Sequence, residues 1–248
     1  MDSVIYKDNT KVSNETNEIE GTIISFENEP YYKISNSDKM RPFFMSIVSD
    51  SNHWMFISSN GGLTAGRKNS EYAFFPYYTD DKITESADVT GSKTIFQIHV
   101  KGKSFIWEPF SIRQAGLYNI TRNLYKNSYG NKVVFEEINN DLGLTYRYQW
   151  STSDQFGFVK KSTIINNAFK SVSITCLDGL QNILPASVTS DLQNSRSNLV
   201  DAYKKSELLP KVGLGIYALS AVIVDKAEPS EALKSNIVWS VGIENPTY

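Results

Sequence analysis

The sequence predicts an all-β protein: a large antiparallel sandwich with one or two short helices near its C-terminal third. Three observations predict it. Residues 94–100 (TIFQIHV) and 144–150 (LTYRYQW) alternate apolar and polar positions with the period of two of a half-buried strand. Turn chemistry recurs between apolar runs, in Asp50-Ser51-Asn52, in Asn60-Gly61-Gly62 and in residues 139–143 (NNDLG). Only one long segment, residues 191–208, carries helical spacing. Regular strands with a single helical segment argue for antiparallel β over alternating β/α units.

The elements follow in order. Residues 1–20 are polar and unpatterned and read as a loose arm; residues 21–248 read as one β-sandwich domain. The first strand is 21–26 (GTIISF). A second is 29–34 (EPYYKI), with Pro30 at its start, where a missing N–H is tolerated. Residues 43–48 and 54–58 form two apolar runs about the 50–52 turn. In 94–100, Phe96, Ile98 and Val100 share one face, and Gln97 and His99 the other. In 144–150, Leu144, Tyr146, Tyr148 and Trp150 share a face. Residues 133–138 precede it across a hairpin turn. Residues 158–165 and 171–177 read as an antiparallel pair turning through Asn166-Asn167. The helix over 191–208 has apolar residues at 192, 199, 200 and 203, with Ser190 or Asp191 as cap and Pro210 as stop. Strand-like runs resume at 212–225 and 237–243, for about twelve or more strands in all.

Composition narrows the function. The chain has 248 residues and a formal net charge of −2, with acids and bases interspersed. Neither nucleic acid nor a membrane surface is an expected partner on electrostatic grounds. No basic-then-apolar leader and no long apolar span is visible, so a cytoplasmic protein is the expectation. Cys176 is the only cysteine. No disulfide forms within the chain, and Cys176, in the alternation Val172, Ile174, Cys176, reads as a buried core residue.

Candidate chemistry is sparse, and neither a catalytic residue, a metal nor a cofactor is expected. His53 and His99 are the only histidines, and nothing in the sequence pairs them with a carboxylate base. Ligands for zinc are too few. Asp80-Asp81 are read as a loop ending a strand, whose neighbours point to opposite faces and do not act on one bond. Asn60-Gly61-Gly62 lacks the Lys-Ser/Thr of a phosphate loop and reads as a turn. Recognition is better supplied. Residues 40–81 set aromatic rings beside Asp, Asn and Arg, as a sugar-facing surface needs: rings stack on a pyranose, and planar polar groups bond its hydroxyls. Arg67 has two open roles, a clamp on a carboxylate within the fold or a contact to an anion. Tyr77, Tyr78 and Asp80 are read as hydrogen-bonding a sugar or a neighbouring domain. Among the four tryptophans, Trp107 is the one expected to be partly exposed, because Pro109 marks a strand edge.

The order of these features resembles the N-terminal domain of the cellobiose phosphorylase family, the inverting disaccharide phosphorylases. It rests on Arg41-Pro42-Phe43-Phe44, on Ser58-Ser59-Asn60-Gly61-Gly62, on Arg67 with the aromatic run 72–78, on Trp107-Glu108-Pro109, and on the Tyr- and Gly-containing stretch 117–130. The similarity spans roughly residues 21–243. The chain departs from the family with Leu63-Thr64-Ala65 after the glycine turn and no histidine beyond His99, as a divergent member would. The resemblance implies a super-sandwich of galactose-mutarotase type that packs on a downstream helical barrel holding the catalytic acid and the phosphate site. It implies a homodimer, carbohydrate as the ligand, and loops lent to the active-site edge.

The expected function is therefore that of a non-catalytic N-terminal domain of a glycoside phosphorylase or hydrolase acting on β-linked di- or oligosaccharides. Arg67, Tyr77, Tyr78, Asp80 and Trp107 are its expected carbohydrate- or interface-facing residues. A free-standing carbohydrate-binding module is the first alternative, and a mutarotase-type sugar epimerase the second.

Overall fold

A computed structural model of the chain describes residues 5–7, 10–12, 18–77, 80–100, 102–168, 171–224 and 230–242. Within the stretch expected to be a loose arm, β1 (Ile5–Lys7) and β2 (Thr10–Val12) pair as a ribbon. Next, β3 (Glu20–Phe26) and β4 (Glu29–Ser35) form a hairpin. Its two turn residues, Glu27 and Asn28, both take positive φ, 48° and 63°, the geometry of a two-residue turn that matches strand twist. A four-stranded meander follows: β5 (Phe44–Ile47), β6 (His53–Ser58), β7 (Leu63–Arg67) and β8 (Ala73–Phe75). Gly61, at φ 96° in the turn between β6 and β7, holds a conformation that other residues resist. Then comes α1 (Asp80–Glu85), a short helix where the sequence suggested a loop.

The central strands are the longest. β9 (Gly91–Val100) and β10 (Lys103–Trp107) form a hairpin. β11 (Ile120–Asn127), β12 (Val133–Asn139), β13 (Leu144–Ser153) and β14 (Gly157–Asn166) form a meander. β15 (Ser173–Gln181) then pairs with β9, not with β14 as the Asn166-Asn167 turn suggested. Turn chemistry is local and does not fix the partner: among the described residues β14 keeps a free edge, but β15 pairs with β9 over residues 173–181, and the chain crosses to the other sheet.

Toward the C-terminus, α2 (Ser190–Ser195) and α3 (Ser197–Tyr203) replace the single expected helix. The break falls at Arg196, with φ −141° and ψ 36°. Thr189, not Ser190 or Asp191, caps α2, its side-chain oxygen accepting from Leu192 N–H at 3.3 Å. Residues 204–208, read as the end of that helix, belong instead to β16 (Lys204–Leu209), which pairs with β17 (Leu214–Leu219); β18 (Ser235–Trp239) completes a three-stranded sheet. Strand pairing overrides helical spacing there. The all-β expectation holds, since among the described residues the α-helices are three and short.

Two layers face each other across the main core. One is a six-stranded antiparallel sheet in the order β14-β13-β12-β11-β4-β3. The other combines the β5–β8 meander with the sheet β10-β9-β15. Leu124, Val133, Phe135, Leu144, Tyr146, Tyr148 and Trp150 of the first layer meet Met55, Ile57, Leu63, Phe75, Phe96, Ile98 and Trp107 of the second. Each buried aliphatic side chain of the Ile57 or Leu63 kind contributes about 1.5–3 kcal/mol over its exposed state. A smaller core joins Ala73, Leu184, Val188, Leu192, Val200 and Leu219, with Trp54 packed against it. It seats α2, α3 and β17 against the outer side of the meander.

The six-stranded sheet is strongly curled. At the tip of the β3–β4 hairpin, Glu27 accepts from Lys161 Nζ of β14, at 2.6 Å, so the two edges of the sheet meet across its concave side. That side holds a third cluster, in which Phe26 stacks on Tyr125 at 5.5 Å and meets Tyr31 edge-on at 5.4 Å. Among the described residues, no helix is long and apolar enough to cross a membrane.

Candidate functional site

Sheet register sorts the aromatic side chains. On β6, His53, Met55 and Ile57 point into the core, so Trp54 and Phe56 point outward. Phe44 on β5 shares their side, since it pairs with Ser58. Phe44 stacks on Phe56 at 5.3 Å, Phe56 lies 5.9 Å from Trp54, and Trp54 meets Tyr77 edge-on at 5.9 Å. The four rings form a continuous row across the outer face of the meander. Its ends are open: Phe44 is 46% and Tyr77 43% exposed. The row is fixed from beneath. Trp54 lies over Gly66, where an added Cβ would fall 2.5 Å from its ring, and its indole N–H donates to Asn69 O at 3.3 Å. Tyr77 is held at its backbone, its N–H donating to Gln193 Oε1 of α2 at 2.8 Å.

The expected residues fall in different places. Tyr77 joins the row. Arg67 pairs in register with His53 and so belongs to the opposite side of the meander; its Nε donates to Asn52 Oδ1 at 2.9 Å, which spans the hairpin end. Asp80 is the first residue of α1, and Tyr78 lies outside the described residues. Trp107 is buried, at 1% exposure, and its expected partial exposure is overturned. Pro109 does follow the strand end, but β10 turns its last residue inward against Phe96, and the indole N–H donates to Glu137 Oε1 at 2.7 Å. Cys176 also departs from expectation and is exposed. It lies on β15, the free edge of its sheet, where the inward side of the alternation stays open laterally.

The two histidines lie in different sheets. His53 is buried, its Nδ1 2.5 Å from Ser51 Oγ, and burial together with Arg67 lowers its pKa. His99 is exposed, with Nδ1 2.9 Å from Ser104 Oγ. Among the described residues, neither forms an ion pair with a carboxylate. Nor do three His, Cys, Asp or Glu side chains group as metal donors among them.

Polar chemistry concentrates where the layers meet. Asp178 of β15 accepts from Thr94 Oγ1 at 2.5 Å, from Tyr146 OH at 3.1 Å and from Lys160 Nζ at 2.6 Å. Burial pushes the Asp178 carboxyl up, but the Lys160 ammonium and these hydrogen bonds outweigh it and hold the pKa below the usual range. This cluster ties β14 to β15, the two strands that do not pair. Thr94 and Tyr146 also line a shallow cleft with Asn60, Asp88, Lys93 and Tyr148. Lys93 is paired with Glu108, and Tyr146 is held neutral by burial and by Asp178. The cluster is a structural tie with every charge answered, and it presents no free nucleophile or base.

Sequence reasoning missed Phe44, Trp54 and Phe56 as parts of one surface. The signal available was the alternation in β6, whose non-core positions are both aromatic. A scan against protein-family models gives no match, and neither does a comparison with curated proteins.

Proposed function

We propose that this chain is a non-catalytic β-sandwich domain of a carbohydrate-active enzyme, a glycoside phosphorylase or hydrolase acting on β-linked di- or oligosaccharides. The observation that carries the reading is the aromatic row Phe44-Phe56-Trp54-Tyr77, exposed at its two ends and half-buried between them. A row of rings on a rigid sheet suits the apolar faces of successive pyranose units, at little entropic cost to the protein. The ordered motifs from Arg41-Pro42 to Trp107-Glu108-Pro109 support the family resemblance, and with it the mutarotase-type sandwich, a downstream helical barrel and a dimer. On this reading the row lies at the edge of an active site whose catalytic acid another domain supplies.

The test uses the purified chain. Cellobiose with phosphate is expected to yield no sugar phosphate, and cello-oligosaccharides are expected to bind weakly by calorimetry. Phe44→Ala and Tyr77→Ala, both at exposed positions, are expected to reduce that binding about fivefold or more each. Turnover by the chain alone would overturn the non-catalytic assignment, and sugar binding indifferent to both substitutions would remove the row from it.

A further inference from the structure

The sheet β16-β17-β18 ends on β16 among the described residues, and Lys204, Lys205, Ser206 and Glu207 of that edge strand are all exposed. An exposed edge offers backbone donors and acceptors to another strand, and charged side chains are the usual guard against pairing. The charges on β16 differ in kind from those at the other edges. The β1–β2 ribbon, β10 and β14 carry only lysines, β3 and β15 carry one acid each, and β5, β8 and β18 carry no charge. Of the described edge strands, only β16 carries both signs.

Register fixes where these groups point. Ser220 N–H donates to Tyr203 O at 2.7 Å, so positions 203, 205, 207 and 209 bond toward β17, and the N–H and C=O of Ser206 point to the open side. Lys205 and Glu207 are two residues apart on one face, where they pair at 2.6 Å with about half of each side chain exposed. A second copy of β16, laid antiparallel about a two-fold axis through Ser206, fits this edge. The two Ser206 residues exchange both N–H···O bonds. Lys205 of each copy then stands opposite Glu207 of the other, in the non-hydrogen-bonded pairing where side chains come closest. Each ammonium meets two carboxylates, and each carboxylate two ammonium groups. Farther out, the same register sets Leu209, 46% exposed, against Tyr203 of the other copy, 39% exposed. Moving the axis one residue either way sets Lys205 against Lys205 or Glu207 against Glu207, so charge selects the register. An unrelated edge leaves these charges without complements, and the chain's own edge answers each one.

We infer that the β16 edge is a self-association surface, which joins two copies of this chain through one continuous β-sheet. The partner is a second copy because the charge pattern of the strand is its own complement. The ladder is short, so the dimer is weak and reversible, of the small-interface class. The inference deepens the proposed function and rests on that reading for the existence of a dimer; register and charge supply the contact.

The test follows the purified full chain by sedimentation equilibrium over a concentration series. Wild type is expected to dimerise reversibly, and less tightly as salt is added. Lys205→Glu and Glu207→Lys, both at exposed positions, each set like charges opposite one another at both symmetry-related pairs, and each should raise the dimer Kd about tenfold or more. Mixing the two variants should restore association as a heterodimer, the acidic pair of one edge against the basic pair of the other. Lys205→Glu with Glu207→Lys in one chain should restore the homodimer, which also shows that the substituted strand folds. A wild-type chain that is monomeric at every concentration would overturn the inference and leave sugar binding, read separately by calorimetry, standing. A dimer indifferent to both reversals would put the contact elsewhere and overturn this surface. Loss of the dimer with no recovery in the mixture or in the double variant would overturn the register.

Discussion

Removing the Glu137 carboxylate tests how the inward turn of Trp107 is held. Glu137 is 1% exposed and accepts three hydrogen bonds at 2.7 Å each, from Trp107 Nε1, Phe110 N and Arg122 Nε. In Glu137→Ala, the first two donors lose their acceptor. Each buried orphan costs roughly 1–3 kcal/mol. Arg122 loses its counter-charge, but its side chain is 21% exposed and turns partly to water, so its share is discounted. The two orphans sum to about 2–6 kcal/mol, which brackets the roughly 3–5 kcal/mol usual for breaking a buried pair. That is a large part of a domain stability of roughly 5–15 kcal/mol. For a chain of this size it lowers Tm by roughly 6–20 °C. Urea unfolding followed by tryptophan fluorescence reads it, with the slope m unchanged. Glu137→Gln keeps one carbonyl acceptor and should fall between wild type and the alanine variant. A loss under about 1 kcal/mol for Glu137→Ala would refute the reasoning, because water would then be replacing the carboxylate.

Three further outcomes are expected. Acidification should destabilise the fold, because Glu136, Glu108 and Asp178 all have pKa values below their ordinary 4.5, 4.5 and 3.8; burial opposes the shift in each, but their cationic and hydrogen-bonding partners prevail. The unfolded chain takes up these protons first, so stability present above the ordinary values is lost as pH falls through the lowered ones; Tm should drop between about pH 5 and pH 2, and Asp178→Asn should flatten that slope. Gly66→Ala should cost about 1–3 kcal/mol in urea unfolding, since its Cβ would lie 2.5 Å from both the Trp54 ring and Tyr72 O, and 2.8 Å from Ala73 Cα; an unchanged midpoint would mean the meander yields there. Cys176 should react to completion with a maleimide in the native protein, at a rate below that of a free thiol because burial and Asp178 push its pKa up; protection until unfolding would contradict its exposed position.

The strands were legible where their two sides differ. Leu144, Tyr146, Tyr148 and Trp150 fill the core while Arg147 and Gln149 lie on the concave side, and the alternation records that contrast directly. Partnership was not legible in the same way. Asn166-Asn167 carries turn chemistry, but turn chemistry is local, and β15 was claimed by the distant edge of β9. Pro109 marked where a strand stops without saying which way Trp107, two residues earlier, points. Only Tyr77 of the four rings in the aromatic row was legible in the dense run 72–78. The row's other members come from β5 and β6, and only pairing brings Phe44 onto their side. The contact across the curl was not legible, because Arg147, Gln149, Lys161 and Thr163 read as an ordinary solvent-facing side, and only the curvature of the whole sheet brings the Glu27 turn to Lys161.

That curvature also sets an order of assembly. The hairpin of β3 and β4 is made early in synthesis, but its neighbour β11 lies far downstream: Asn127 reaches Glu29 across 98 positions, and Lys161 reaches Glu27 across 134. Until those segments leave the ribosome, β4 has an unpaired edge, and Ile23 and Tyr32, exposed even in the finished fold, stay open to other chains. The entropy of joining such distant segments falls before their contacts repay it, so folding is expected to be slow and sensitive to crowding by sister chains. A rapid hairpin that waits for β11 leaves the N-terminal strands unsecured through much of synthesis, and open to exchange between molecules when concentration rises.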